Sequence, residues 1–249
     1  MSMLIPIRDI NPTRSFPLVT VGLIALNVVV FFAVAQGFSI PQRAAFEYGA
    51  IPCDVLSRCP ALSAQLDQAF GAQPSIMNIF TSMFMHADVF HVGFNMLFLW
   101  VFGNNIEDRL GKVRFVLFYL LCGLAAAFAH ILVNPSSAIP TIGASGAVSG
   151  VLGAYAILWP GATIISLVPV FLFFFSIRTP AWLMIGLWFV VQLLGSAAGF
   201  GRGPADGGGV AYLAHVGGFV AGLLLIIPFG GRRSQARELA DDDWPTPGR

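Results

Sequence analysis

The stretch Thr163-Ile-Ile-Ser-Leu-Val-Pro-Val-Phe-Leu-Phe-Phe-Phe-Ser-Ile177 decides how this chain is folded. It is apolar enough to enter a bilayer, yet it falls short of the about 20 residues a helix needs to cross one. Pro169 sits in its middle, and Pro160-Gly161 and Thr179-Pro180 bound it, all of which oppose a continuous helix. A re-entrant or interfacial segment is therefore the expectation. The choice matters because everything beyond residue 177 changes sides of the membrane if this stretch crosses.

That a membrane is involved follows from composition. The 249 residues are 57% hydrophobic and 10% charged, with a mean hydropathy of +0.80. A soluble domain carries about 25% charged residues, so this chain could not cover a water-facing surface. Six stretches are apolar enough to span, at residues 16–36, 89–106, 113–133, 143–160, 180–199 and 209–229. The first resembles a signal peptide, with Arg8 and Arg14 ahead of it and Ala33-Val34-Ala35 at its end. Its apolar run exceeds the about 7–15 residues of a signal core, so an uncleaved span is the reading.

With six spans, Arg8, Arg14, Arg109, Lys112, Arg114, Arg178, Arg232, Arg233, Arg237 and Arg249 share one side, and Arg43, Arg58 and Arg202 the other. The positive-inside rule then puts both termini in the cytoplasm. The expected fold is an all-α polytopic membrane protein: a cytoplasmic segment 1–15, a six-helix domain 16–229 and a disordered cytoplasmic tail 230–249. A long extracytoplasmic loop, residues 37–88, joins the first two spans; loops of this length are ordered and functional or lie on the bilayer surface. It holds Cys53 and Cys59, for which a pair of free thiols is the simpler reading and a disulfide the alternative. A net charge of +1 without clustered basic stripes gives no sign of a nucleic-acid partner.

Six spans also bring the polar residues to one depth. Ser145 of Gly143-Ala-Ser-Gly146 lies in the first turn of span four, entered from outside. His215 of Ala214-His-Val-Gly-Gly218 lies near the outer start of span six. His91 and Asn95 lie at the outer start of span two, four residues apart and so on one helix face. Seven spans would put Ser145 and His215 on opposite sides. Hydrocarbon excludes such groups unless they are partnered or functional, and Ser with His is the nucleophile and base of acyl transfer. The stripes Gly146…Gly150…Gly153 and Gly218…Gly222 allow two helix backbones to approach closely, either as packing alone or to bring Ser145 to His215. Unpaired N–H groups at a helix start suit an oxyanion. Spans four and six carry no Asp or Glu, so a dyad rather than a triad is expected.

These residues carry a resemblance. His91-Val-Gly-Phe-Asn95, Glu107-Asp-Arg-Leu-Gly111, Gly143-Ala-Ser-Gly146 and Ala214-His-Val-Gly-Gly218…Gly222 together resemble the rhomboid family of intramembrane serine proteases, over about residues 16–229. The resemblance implies Ser145 as nucleophile and His215 as general base. It implies His91, Asn95 and the Ser145 backbone N–H as the oxyanion site, and Phe94 with span five as a side entrance. It also implies transmembrane protein substrates cleaved near the outer membrane face, with no metal and no cofactor. One position departs: where some members carry a tyrosine that stacks on the catalytic histidine, this chain has Ser149, leaving open what orients His215.

The remaining polar residues read as structural. His86 is expected to order a loop, His130 to lie at the interface, and Glu107 and Arg109 to pair and cap helix ends. Trp100, Trp182 and Trp188 read as lipid-facing or core aromatics. Two rival functions are a catalytically weak rhomboid-like protein that binds membrane helices, and a transporter. A transporter would spread ionisable residues along its spans. Arginine outnumbers lysine 12 to 1, which points to a GC-rich genome; a bacterial cytoplasmic membrane is the expected address, with an organelle as the alternative.

Overall fold

The computed structural model of the chain describes residues 4–71, 75–199 and 211–231. The Gly199–Gly209 connection beyond its first residue, and the tail beyond residue 231, lie outside the described residues.

The chain starts with strand β1 (Ile5–Ile10) and helix α1 (Leu18–Val34). Residues 37–88 then form short helices: α2 (Gln42–Tyr48), α3 (Pro52–Val55), α4 (Pro60–Phe70) and α5 (Asn78–Ser82). Proline opens both α3 and α4, where its missing N–H costs nothing. Cys53 and Cys59 are joined by a disulfide across the α3–α4 turn, with Cα atoms 5.5 Å apart. This corrects the expectation of free thiols: a spacing of six residues does not reveal a turn that brings the two together.

Asp88 starts the next element by accepting from the N–H groups of Phe90 and His91, each at 2.9 Å. Helix α6 (Val89–Phe98) runs through a wide π turn (Leu99–Gly103) into α7 (Asn104–Leu110), making one 22-residue rod. Gly111, at φ +76, breaks it and α8 (Lys112–Val133) follows. The rod and α8 are long and apolar enough to cross a bilayer by length and composition; Leu18–Val34, Ser145–Leu158, Ala181–Ala197 and Tyr212–Leu225 are shorter apolar helices.

Helix α9 (Ser145–Leu158) is the core of the bundle, with every residue from Gly146 to Tyr155 buried. A helix buried all round must be small or apolar on every face, and this one is. Between α9 and α11 (Tyr212–Leu225) the backbones touch. A Cβ on Gly218 would fall on the Gly146 carbonyl, and one on Gly222 on the Gly150 carbonyl. The small-residue stripes are thus a geometric requirement of this contact.

The all-helical expectation needs one correction. Residues 163–180 form β2 (Thr163–Val170) and β3 (Phe173–Pro180), which pair antiparallel, and β1 pairs with β2 to complete a three-stranded sheet of order β1-β2-β3. The physical reason is composition. β-Branched and aromatic residues favour a pleated surface, and the helix-period reading of an apolar run cannot separate strand from short helix. Asp9 fixes the sheet to the bundle, its Oδ2 accepting from Tyr155 Oη of α9 and from Asn105 Nδ2 of α7, both at 2.7 Å. From β3 the chain passes directly into α10 (Ala181–Gly199).

Glu107 caps a helix, and that helix is α1. Its carboxylate, 2% exposed, accepts from the N–H of Val19 (2.9 Å) and of Thr20 (2.7 Å) and from Thr20 Oγ1 (2.8 Å). Asp108 accepts likewise from the N–H of Arg14 and Ser15. Orphan donors at a helix start need acceptors, and an anion there also meets the positive end of the helix dipole.

Candidate active site

Ser145 is the first residue of α9. The first intrahelical bond donated back to the turn comes from Val148, to the Ala144 carbonyl at 3.0 Å, so the N–H groups of Ser145, Gly146 and Ala147 have no intrahelical acceptor. Gly143, at φ +129, bends the chain into the helix. A Cβ there would lie 2.9 Å from both Cε1 and Nε2 of His91 and 3.4 Å from Ser145 Oγ, which puts the His91 ring edge beside the serine.

His215 lies in the first turn of α11, and the close α9–α11 approach carries it to the serine: Nε2 is 2.8 Å from Ser145 Oγ. The other ring nitrogen, Nδ1, is 2.7 Å from Oε1 of Gln192 on α10. Trp188, one turn before Gln192, places its ring 6.1 Å from the histidine ring at an interplanar angle of 34°. Tyr212 meets it edge-on at 6.5 Å. Ser145, His91 and His215 are each half-buried, so the group is neither sealed nor open on the surface.

His91 Nδ1 accepts from the Ala87 N–H at 3.3 Å. That bond leaves the ring proton on Nε2, the atom that faces Gly143 and Ser145. Asn95, 7% exposed, stands one turn further along α6, and its Nδ2 donates to the His91 carbonyl at 3.0 Å. One of its two amide N–H groups is therefore committed to its own helix. Ser149 is spoken for as well, its hydroxyl donating to the Ser145 carbonyl at 2.6 Å, the back-bonding typical of serine inside a helix.

His86 orders the loop ahead of α9. Fully buried, its Nε2 accepts from the Ala144 N–H at 3.4 Å. Burial, then repulsion from His91, pushes its pKa down to about 3, so it stays neutral. His130 closes the end of α8, its carbonyl accepting from both the N–H and Nδ2 of Asn134 at 3.0 Å. Among the described residues no group of three or more His, Cys, Asp or Glu is placed to hold a metal ion.

Gln192 is the residue that reading the sequence misses. It was hidden in an apolar run, Trp188-Phe-Val-Val-Gln-Leu-Leu194, with no motif around it. The available signal was an uncharged polar side chain inside an apolar helix.

The fold and this site define the class to which the chain belongs. A family profile described as Rhomboid domain matches residues 73–232, which contain all the site residues named above. The chain belongs to the rhomboid family, a family of integral membrane proteins. It is 33% identical over 154 residues to Rhomboid protein 1, mitochondrial, of Saccharomyces cerevisiae, across 60% of this chain and 41% of that protein. It is 30% identical over 139 residues to Rhomboid protease GluP of Bacillus subtilis, across 55% of this chain and 24% of that one. It is 31% identical over 159 residues to human Presenilin-associated rhomboid-like protein, mitochondrial, across 61% and 36%. The chain thus spans less than half the length of these relatives.

Proposed function

We propose that this chain is an intramembrane serine endopeptidase that cleaves transmembrane protein substrates near the extracytoplasmic membrane face. The observation that carries the reading is the 2.8 Å contact between Ser145 Oγ and His215 Nε2 inside an apolar helical bundle. Ser145 is the nucleophile and His215 the general base. His215 Nε2 takes the Oγ proton as Oγ attacks the scissile carbonyl, and then passes it to the leaving amine. Water releases the acyl group by the reverse sequence, returning the proton to Ser145. The oxyanion sits among His91 Nε2–H, the free N–H of Asn95 and the Ser145 backbone N–H, all donors fixed before the charge develops. Ser149 has no part in this chemistry, since its proton is engaged with a carbonyl.

The membrane domain comprises residues 16–229 in six spans, with residues 1–15 and 230–249 cytoplasmic and residues 37–88 outside. Two observations support this arrangement. Residues 163–180 form a hairpin instead of a helix, which keeps Ser145 and His215 at one depth. The Cys53–Cys59 disulfide belongs to an oxidising compartment. The excess of arginine over lysine, 12 to 1, favours a bacterial cytoplasmic membrane as the address.

A fluorophosphonate probe in detergent tests the activated serine. Wild type forms a covalent adduct at Ser145, whereas Ser145→Ala forms none and His215→Ala reacts at least about 10³-fold more slowly. An adduct rate unaffected by His215→Ala would refute the dyad.

A further inference from the structure

The rings around His215 do not by themselves choose which nitrogen carries its proton. We infer that Gln192 is a positioning residue, whose amide oxygen accepts from Nδ1–H of His215 and so aims the unprotonated Nε2 at Ser145. This rests on the dyad reading and answers the question that Ser149 leaves open. The orientation of the amide is settled by its other end: Gln192 Nε2 lies 3.4 Å from the Trp188 carbonyl, which can only accept. With Nε2 committed as donor, Oε1 faces Nδ1 at 2.7 Å and requires a proton there. The flipped amide would donate to Nδ1, put the ring proton on Nε2 and leave no base for Ser145. Gln192 is 7% exposed, so water does not compete for the bond. Its backbone is held in turn, with Ser196 Oγ donating to its carbonyl at 2.9 Å. A neutral acceptor supplies direction without the charge an aspartate would bring. The titratable groups facing His215 are His91 from α6, His130 from α8 and Tyr212 on its own helix; α9 and α10 contribute none.

The test compares wild type, Gln192→Leu and Gln192→Glu, reconstituted, on a transmembrane reporter across pH. Gln192→Leu should lower kcat about 10-fold, the worth of one buried hydrogen bond, with KM changed less than about 2-fold. Gln192→Glu should restore turnover, and a carboxylate on Nδ1 should move the acid limb of the profile up by about one pH unit. A merely structural glutamine would leave that limb in place. A Gln192→Leu enzyme with wild-type kcat, or a Gln192→Glu limb at the wild-type pH, overturns the inference. Spectra of ¹⁵N-histidine protein read the tautomer without any cleavage. Wild type should carry the His215 proton on Nδ1, and Gln192→Leu should redistribute it. A wild-type proton on Nε2 overturns the inference whatever the activity, while inactivity with the Nδ1 tautomer intact refutes the protease reading alone.

A second inference comes from the hairpin and does not depend on the chemistry. β1 stops pairing with β2 at Leu167, so residues 168–175 overhang as a two-stranded ribbon. The turn is Phe171-Leu172, with Phe171 at φ +52, where hairpins ordinarily carry glycine or asparagine. A bulky residue held in the left-handed region is strained, and water offers nothing that offsets the strain. The exposed side chains are Phe171 (99%), Leu172 (92%), Phe173 (70%), Phe174 (65%) and Phe175 (53%), and no charged residue lies between 163 and 177.

Strand alternation says what covers them. Ile164 and Ser166, both fully buried, and Asp9 turn one face of the sheet to the bundle. In register and parity, Val168, Phe175 and Phe173 continue that same face past the end of β1. Phe174 is on the opposite face, so a protein surface docked on one side would leave the other bare. We propose that the ribbon lies in the headgroup–acyl boundary of the leaflet bordering the sheet, with Phe171–Phe175 in contact with lipid. The boundary also supplies water and ester groups for the ribbon's open edges, which hydrocarbon could not.

A spin label at Leu172→Cys, in full-length protein in phosphatidylcholine nanodiscs, reads the location. The expected result is relaxation by oxygen with shielding from a water-soluble nickel chelate, while the same label at Ile165→Cys, on the far face, is open to nickel. Nickel access at both positions, shielding from both agents, or dipolar broadening between two copies would each overturn the lipid assignment.

Discussion

At the scale of single residues, Gly143 leaves no room for a side chain. A side chain there meets the His91 ring at 2.9 Å in a backbone conformation, φ +129, that L residues avoid. Gly143→Ala should displace His91 and lower turnover about 100-fold, as sub-ångström to ångström misplacement does, measured on a transmembrane reporter with the unfolding midpoint recorded alongside. His86 sets a pH dependence. Its folded pKa of about 3 lies below the ordinary 6.5, so between those values the unfolded chain binds a proton that the folded chain refuses. Stability from this group is complete above about pH 6.5 and falls as pH drops toward 3. Denaturant unfolding at pH 7 and pH 4.5 should show a smaller loss in His86→Gln, whose amide oxygen can still accept from Ala144. Ser145, His215 and His91 were legible in the sequence because each interrupts an apolar run with a group hydrocarbon rejects. Gln192 interrupts one too, but which way a lone glutamine faces depends on how α10 is rotated against α11, and no local pattern fixes that.

At the scale of elements, two contacts tie the helices to one another. Glu107 binds the start of α1 through three hydrogen bonds to one buried carboxylate. Glu107→Gln weakens two of them and turns an N–H toward a donor, and should cost about 1–3 kcal/mol in equilibrium unfolding. The α9–α11 contact depends on glycine at 218 and 222. Gly218→Val should force the two backbones apart and break the Ser145–His215 bond, abolishing probe labelling; a variant that labels at the wild-type rate would refute the close-contact account. The small-residue stripes announced this contact in the sequence. The hairpin was half legible: Pro169 and the shortness of 163–177 excluded a span. The strands themselves were not visible because their residues do not alternate apolar with polar, both faces being apolar near the turn. Nor could the sequence announce a pairing with Ile5–Ile10, more than 150 residues away.

At the scale of the molecule, topology joins the pieces. The proposed six-span topology would put the disulfide loop outside and the sheet inside, so a membrane-impermeant maleimide added to intact cells should label Cys53 and Cys59 only after reduction. Labelling that also required permeabilised cells would invert the orientation. The measurement that bears most directly on the central claim is cleavage of a transmembrane reporter in vesicles by wild type, Ser145→Ala and His215→Ala. The dyad account predicts cleavage by wild type alone, at a bond near the extracytoplasmic face. Equal cleavage by all three, or none by a folded wild type, would contradict it.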